Sequence, residues 1–112
     1  MHELSICRSI VDVVDRHAAG RGVEVINLQV GELRQIVPDT LVYCWTLVTA
    51  DTALASSQLR VDRVTAAIRC KACGHGTALT GPILVCEACD GRDVEIVAGE
   101  EFLITSLELV EA

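Results

Sequence analysis

Two short runs can do metal chemistry: Cys70-Lys71-Ala72-Cys73 and Cys86-Glu87-Ala88-Cys89, with twelve residues between them. Each C-x-x-C pair can close as a tight knuckle that aims both sulfurs at one point. Two facing knuckles supply four thiolates in a tetrahedron, the donor set of structural Zn2+. An iron–sulfur cluster takes the same four ligands. Gly74 after the first pair and Asp90-Gly91 after the second offer the turn geometry. A closed four-thiolate site keeps no open coordination position, so its role is structural rather than catalytic. A thioredoxin-type redox pair would be single and would sit at a strand-to-helix junction. His75, between two glycines, reads as a solvated loop histidine, with replacement of a thiolate as its other role.

The second constellation is Met1-His2-Glu3. A terminal amine, the His2 amide and the His2 imidazole close adjacent chelate rings, and Glu3 can complete a plane. Square-planar nitrogen and oxygen donors suit Ni(II) or Cu(II), and by the usual affinity order Cu2+ binds such a site more tightly. The start of a helix is its positive end, so a cation there must be held by direct ligands. Without such a role, His2 is an ordinary solvated residue near a chain end.

The elements that must position these groups follow from periodicity. Leu4, Cys7, Ile10, Val11, Val14 and Ala18 form a helical stripe over residues 4–18, which Gly20 and Gly22 stop. Residues 23–30 alternate as a half-buried strand, with an irregularity at Ile26–Asn27. Pro38 suits the first turn of a second helix running to about Ala50, with Leu41, Cys44, Trp45 and Val48 inward. Residues 58–68 and 102–110 read as strands. Cys7 and Cys44 lie on apolar helix faces and read as small buried hydrophobes. Residues 70–98 differ in character: they hold four of the six cysteines and few bulky apolar groups. They read as a small insertion hanging from a helix-and-strand platform. A metal replaces the core this stretch lacks, so its removal should unfold it.

Composition narrows the function classes. At 112 residues the chain is one domain, or one with an appendage. Its formal net charge of -7 runs against a free-standing nucleic-acid binder. The cysteine-rich stretch has Lys71 and Arg92 against Glu87, Asp90, Asp93 and Glu95, and no aromatic for base stacking. Arg60, Arg63 and Arg69 are the one basic cluster and read as a solvated strand face. A zinc-ribbon module for nucleic acid or transcription machinery is therefore the alternative reading. No stretch approaches the roughly 20 apolar residues of a membrane span. Glu3, Arg8, Asp12 and Asp15 interrupt any apolar leader, so the expected compartment is the cytoplasm, where cysteines are thiols or metal ligands.

Taken together, the initial Met-His-Glu, the first helix, VGEL after a strand, Pro-Asp opening the second helix and the paired knuckles resemble the HypA/HybF hydrogenase-maturation nickel chaperones. The resemblance runs along essentially the whole chain. It implies a non-enzymatic carrier that brings Ni(II) to the large subunit of nickel–iron hydrogenase with the GTPase HypB, some members also serving urease. It implies nickel on Met1, His2 and Glu3, with Asp39 assisting, and structural Zn(II) on Cys70, Cys73, Cys86 and Cys89. The implied fold is α+β: a nickel-binding domain over 1–68, with a small three-stranded sheet and two helices, completed by a returning strand in 99–112. A zinc-ribbon domain over 69–98 is inserted into it. Partners implied are proteins, not nucleic acid or membrane, and the chain is expected as a monomer or weak dimer. The second knuckle, CEACDG, lacks the proline and neighbouring histidine of many members, which leaves His75 as the residue that could exchange at zinc.

Overall fold

The structure is a computed structural model and describes residues 2–81 and 83–110, with His2 described by its backbone. Helix α1 (His2–Ala18) leads into β1 (Val23–Gly31), a 3-10 turn (Glu32–Arg34) and helix α2 (Pro38–Thr49). Strands β2 (Gln58–Val64), β3 (Ala67–Cys70), β4 (Gly76–Ala78), β5 (Val94–Ala98) and β6 (Phe102–Leu109) follow. They form two three-stranded sheets, ordered β2-β1-β6 and β4-β3-β5. The architecture is α+β, with two helices and a small sheet in one part and a cysteine-bearing ribbon in the other.

The chain divides into two compact units. The first takes in residues up to 29, residues 36–62 and those from 103 onward; the second is residues 30–35 and 63–102. In the first, the expected helical stripe is buried at Cys7, Ile10, Val14 and Ala18, whereas Leu4 is exposed and Val11 half-buried; Cys7, Ile10 and Val14 lie with Leu41 and Trp45 of α2 and Leu28 of β1 in the core. The Trp45 indole, largest of these, donates from Nε1 to Ser57 Oγ at 3.0 Å, so its one polar atom is satisfied. Helix α1 begins two residues earlier than its apolar stripe. It ends where Ala19 and Gly20 enter the left-handed region, at φ 50° and 86°.

The second unit has a much smaller apolar core. Ala66, Ile68 and Leu79 are buried together, with Leu33 and Val94 packed against them. The residues of the VGEL run belong to this unit. Gly31 N–H donates to the Glu101 carbonyl (2.7 Å) and Leu33 N–H to that of Gly99 (2.8 Å). Glu32 Oε1 accepts from the Ala66 N–H at 2.7 Å. Residues 58–68, expected as one extended run, are in fact split at this point. β2 stops at Val64 and β3 starts at Ala67 in the other sheet. The reason is a contact from far along the chain: a Glu32 carboxylate takes the Ala66 donor, which no strand ladder then uses. β3 pairs antiparallel with β4 and with β5, and Arg69 lies opposite Glu95.

The clasp leaves no room for side chains. A Cβ on Gly31 would overlap the Gly99 carbonyl, whereas one on Gly20 would meet nothing within 4 Å. Gly31→Ala should therefore cost more than about 2 kcal/mol, because the obstacle is backbone. Gly20→Ala should cost about 1 kcal/mol, from its positive φ alone. Urea unfolding of the two variants checks this; equal losses would show that the Gly31–Gly99 approach is not tight.

Candidate metal centre

The two knuckles are built alike. Gly74 N–H returns to the Cys70 carbonyl (2.8 Å) and Asp90 N–H to that of Cys86 (2.9 Å). Cys70 N–H donates to the His75 carbonyl and Cys86 N–H to that of Gly91, each at 2.9 Å. Both turns need a left-handed residue at the same place, Gly74 at φ 79° and Asp90 at φ 60°. Asp is one of the few residues with a side chain that tolerates this region. Gly91 serves another purpose: a Cβ there would press within 3.1 Å of Cys89 Sγ.

These turns bring four sulfurs to one place. The ligand atoms of Cys70, Cys73, Cys86 and Cys89 all lie within 4.8 Å of one another. The Cys70–Cys89 and Cys73–Cys86 sulfurs are each 3.6 Å apart. A tetrahedron with metal–sulfur bonds of about 2.3 Å has edges of about 3.8 Å, so the donor set fits a closed four-thiolate centre. The backbone is already arranged for anions. The Cys73 amide, with that of Ala72 and other neighbours, pulls the Cys70 thiol down to about 7. The Gly91 amide acts the same way on Cys89, but the three crowded sulfurs outweigh it and push that thiol up to about 12. The cluster thus has donors poised for thiolates and too little room for four negative charges without a cation.

Around the sulfurs, Glu87 N–H donates to Thr77 Oγ1 (3.2 Å) and Lys71 N–H to the Asp93 carbonyl (2.9 Å), anchoring each knuckle to the ribbon. His75 is not in the four-sulfur group. Its Nε2 lies 2.9 Å from Glu87 Oε2, bridging the two knuckles from outside. Nothing in the spacing announces the supports from Thr77 and Gly91, because each depends on how one knuckle faces the other.

Of the proposed nickel ligands, Met1 and the His2 side chain lie outside the described residues. Glu3 is in the first turn of α1 and half-buried. Its carboxyl is held below the usual range by its own backbone amide and also by that of Val37. Val37 immediately precedes Pro38 and Asp39, the exposed first turn of α2. Cys7, one turn along from Glu3, donates to the Leu41 carbonyl at 3.5 Å. The first turns of the two helices therefore meet, with Glu3 and Asp39 at the same end of the helix pair.

The whole chain can now be set beside known proteins. The sequence profile of the family described as hydrogenase/urease nickel incorporation metallochaperone HypA matches residues 1–109. The chain belongs to the HypA family. It is 39% identical to the hydrogenase maturation factor HypA of Desulfosudis oleivorans, over 99% of this chain and all of that one. It is 38% identical to that of Geotalea uraniireducens, over 97% and 99% of the two chains. The solution structure of the Ni metallochaperone HypA from Helicobacter pylori matches the fold with a TM-score of 0.68 at 22% identity, covering 98% of each chain. A second HypA solution structure gives 0.71 at 23% identity, over 98% of this chain and 97% of that one.

Cys7, buried outside the centre, behaves differently. Burial, with the nearby Cys44 and Glu3 adding, pushes the Cys7 thiol up to about 11. The folded state thus favours protonated Cys7. That contribution to stability is complete below the ordinary thiol range, near pH 8.5, and is lost as pH rises toward 11. Iodoacetamide at pH 8 should leave Cys7 unmodified in the native protein and label it on unfolding or near pH 11, as read by peptide mass spectrometry. Labelling of native Cys7 at pH 8 would contradict its burial.

Proposed function

We propose that this HypA-family protein is a nickel carrier that holds Ni(II) on its N-terminal peptide and delivers it for maturation of the nickel–iron hydrogenase large subunit. The recipient class extends to urease, as the family description allows. His2 anchors the metal, Met1 and Glu3 complete its coordination, and Asp39 assists from α2. The observation that supports this most directly is the meeting of the two first turns, with the Glu3 carboxyl on the Val37 amide one residue ahead of Pro38-Asp39. Carboxylates of Glu3 and Asp39 thereby lie on the first turns of two helices that meet. Nickel here is cargo, so ligands that hold it must also let it go. Few protein donors and open solvent favour that release over a closed cage.

The four cysteines bind structural Zn(II). Zn2+ supplies the positive charge that the crowded thiols lack, and its closed shell leaves no position for a reacting group. The protein is not an enzyme on this reading. It works in the cytoplasm with the GTPase HypB and the hydrogenase large subunit, as a monomer or weak dimer, with a nickel domain and an inserted zinc ribbon. Among the described residues no helix is long and apolar enough to cross a membrane.

The test is a nickel titration of tag-free protein beside His2→Ala and Asp39→Asn, with zinc counted in each. Wild type should hold one zinc and bind nickel. His2→Ala should keep the zinc and lose nickel affinity by about 100-fold, as loss of a direct ligand implies, and Asp39→Asn should lose far less. Nickel binding by His2→Ala equal to wild type would refute the N-terminal site. Chelation of zinc should unfold the second unit, read by loss of amide protection in residues 63–102, while the first unit keeps its protection.

A further inference from the structure

The two helices of the first unit treat solvent differently. The outward face of α1 is charged, with Arg8, Asp12, Asp15 and Arg16 exposed. That is the usual state of a surface helix. Helix α2 is apolar on both sides. Its inner face buries Leu41, Cys44 and Trp45. Its outer face presents Val42, Tyr43 and Leu47, the last two 63% and 54% exposed, continuing from Val37 at 54%, with Asp39, Thr40 and Thr46 exposed beside them. A surface helix normally turns its large apolar side chains inward. Several of them exposed on one outward face mark an interaction surface.

Position and charge indicate what covers it. The stripe starts at Val37, whose amide meets the Glu3 carboxyl at the metal end of the helix pair. On the nickel-carrier reading, on which this inference rests, ion transfer without release to water needs the acceptor's ligands within bonding reach of the donor's. The acceptor must therefore sit against this end of α2. Residues 35–59 contain no Lys, Arg or His, and their two charges are Asp39, between Val37 and Val42, and Asp51, beyond Leu47. A second copy laid on the same face would bring carboxylates toward carboxylates. An occupant with apolar or aromatic anchors flanked by Lys or Arg meets both features.

We propose that the outer face of α2, Val37-Val42-Tyr43-Leu47, is the docking surface for the protein that accepts the nickel, which engages it through apolar anchors flanked by basic side chains. Tyr43 is the central anchor: a large amphipathic ring at the middle of the stripe, the residue type that most often dominates an interface.

The experiment uses full-length zinc-loaded protein and, as probe, the purified nickel-free hydrogenase large subunit. Four proteins are compared: wild type, Tyr43→Ser/Leu47→Ser, Leu47→Lys, and a control on the other helix, Arg8→Ala/Asp15→Ala. Large-subunit affinity, nickel affinity, melting temperature and sedimentation are measured for each. The double variant should keep its melting temperature and nickel affinity but bind the large subunit about 30-fold or more weakly. Leu47→Lys should also weaken binding, the control should change it less than about threefold, and wild-type binding should fall as salt rises. Unchanged affinity in both α2 variants overturns the proposal, as does no binding by wild type. So does a wild-type dimer that the double variant makes monomeric, since the face would then pair with itself. If instead wild type binds no nickel while the α2 variants still lose the large subunit, the docking surface stands and the nickel-carrier reading falls.

Discussion

Four thiol sulfurs packed within 4.8 Å of one another cannot all ionise unless a cation lies among them. The second unit is organised around that constraint. Among the described residues its packed apolar cluster is Ala66, Ile68 and Leu79 with two half-buried partners, a small core against the conformational entropy of the residues it must order. What it has instead is two matching turns whose amides already point at sulfur. A metal among those sulfurs adds the missing attraction and closes the long loop between residues 73 and 86 at the same time. The Gly31–Gly99 approach and the Glu32–Ala66 hydrogen bond fix the other end of the ribbon, where its strands enter and leave. β3 runs from that clasp at Ala66 to the ligand Cys70, so one short strand joins the two anchors.

The first unit solves the opposite problem. It has an adequate core and, on the proposed nickel-carrier reading, would present weakly bound cargo at a chain end, where backbone is usually frayed. Contacts between the helices counter that fraying: Cys7 to the Leu41 carbonyl, and Glu3 to the Val37 amide. Cys7 lies on the stripe of α1 that spacing marks as inward; Glu3 lies just ahead of it. A helix whose first turn is held this way can offer ligands in a repeatable geometry while leaving them open to solvent.

Much of this was legible in the residues. The C-x-x-C pairs announce a four-sulfur centre because two residues between cysteines is the span of one tight turn. The stripes at Cys7-Ile10-Val14 and Leu41-Cys44-Trp45 mark their helices because spacings of three and four put each on a single face. With Met-His-Glu, VGEL and Pro-Asp, the knuckles and the first helix carried the whole-chain family resemblance, and that resemblance implied the α+β class. What was hidden depends on contacts remote in sequence. Nothing about VGEL reveals that Glu32 captures the Ala66 amide 34 residues away and so breaks the 58–68 run. His75 looked like a spare ligand because its sequence distance to Cys73 is short. Its partner Glu87 becomes visible only once the second knuckle is folded against the first. For Met1 and the His2 side chain, chelate chemistry remains the argument.

The charge distribution then has a consistent logic. Within the ribbon two cations are paired: Arg69 with Glu95 across β3 and β5, and Lys71 Nζ 3.9 Å from Asp93. Exposed pairs of this kind contribute little to stability. With Glu87 and Asp90 against Arg92, the ribbon keeps a net negative charge, and four thiolates around one Zn2+ would add to it. A ribbon built to grip phosphates would keep its cations unpaired and facing outward. Helix α2 is the complement: it has almost no charge at all on its outer face. A surface that spends its charges on itself in one unit and omits them from a helix face in the other is suited to protein contacts. There, apolar area gives affinity and the flanking carboxylates of Asp39 and Asp51 select a basic partner.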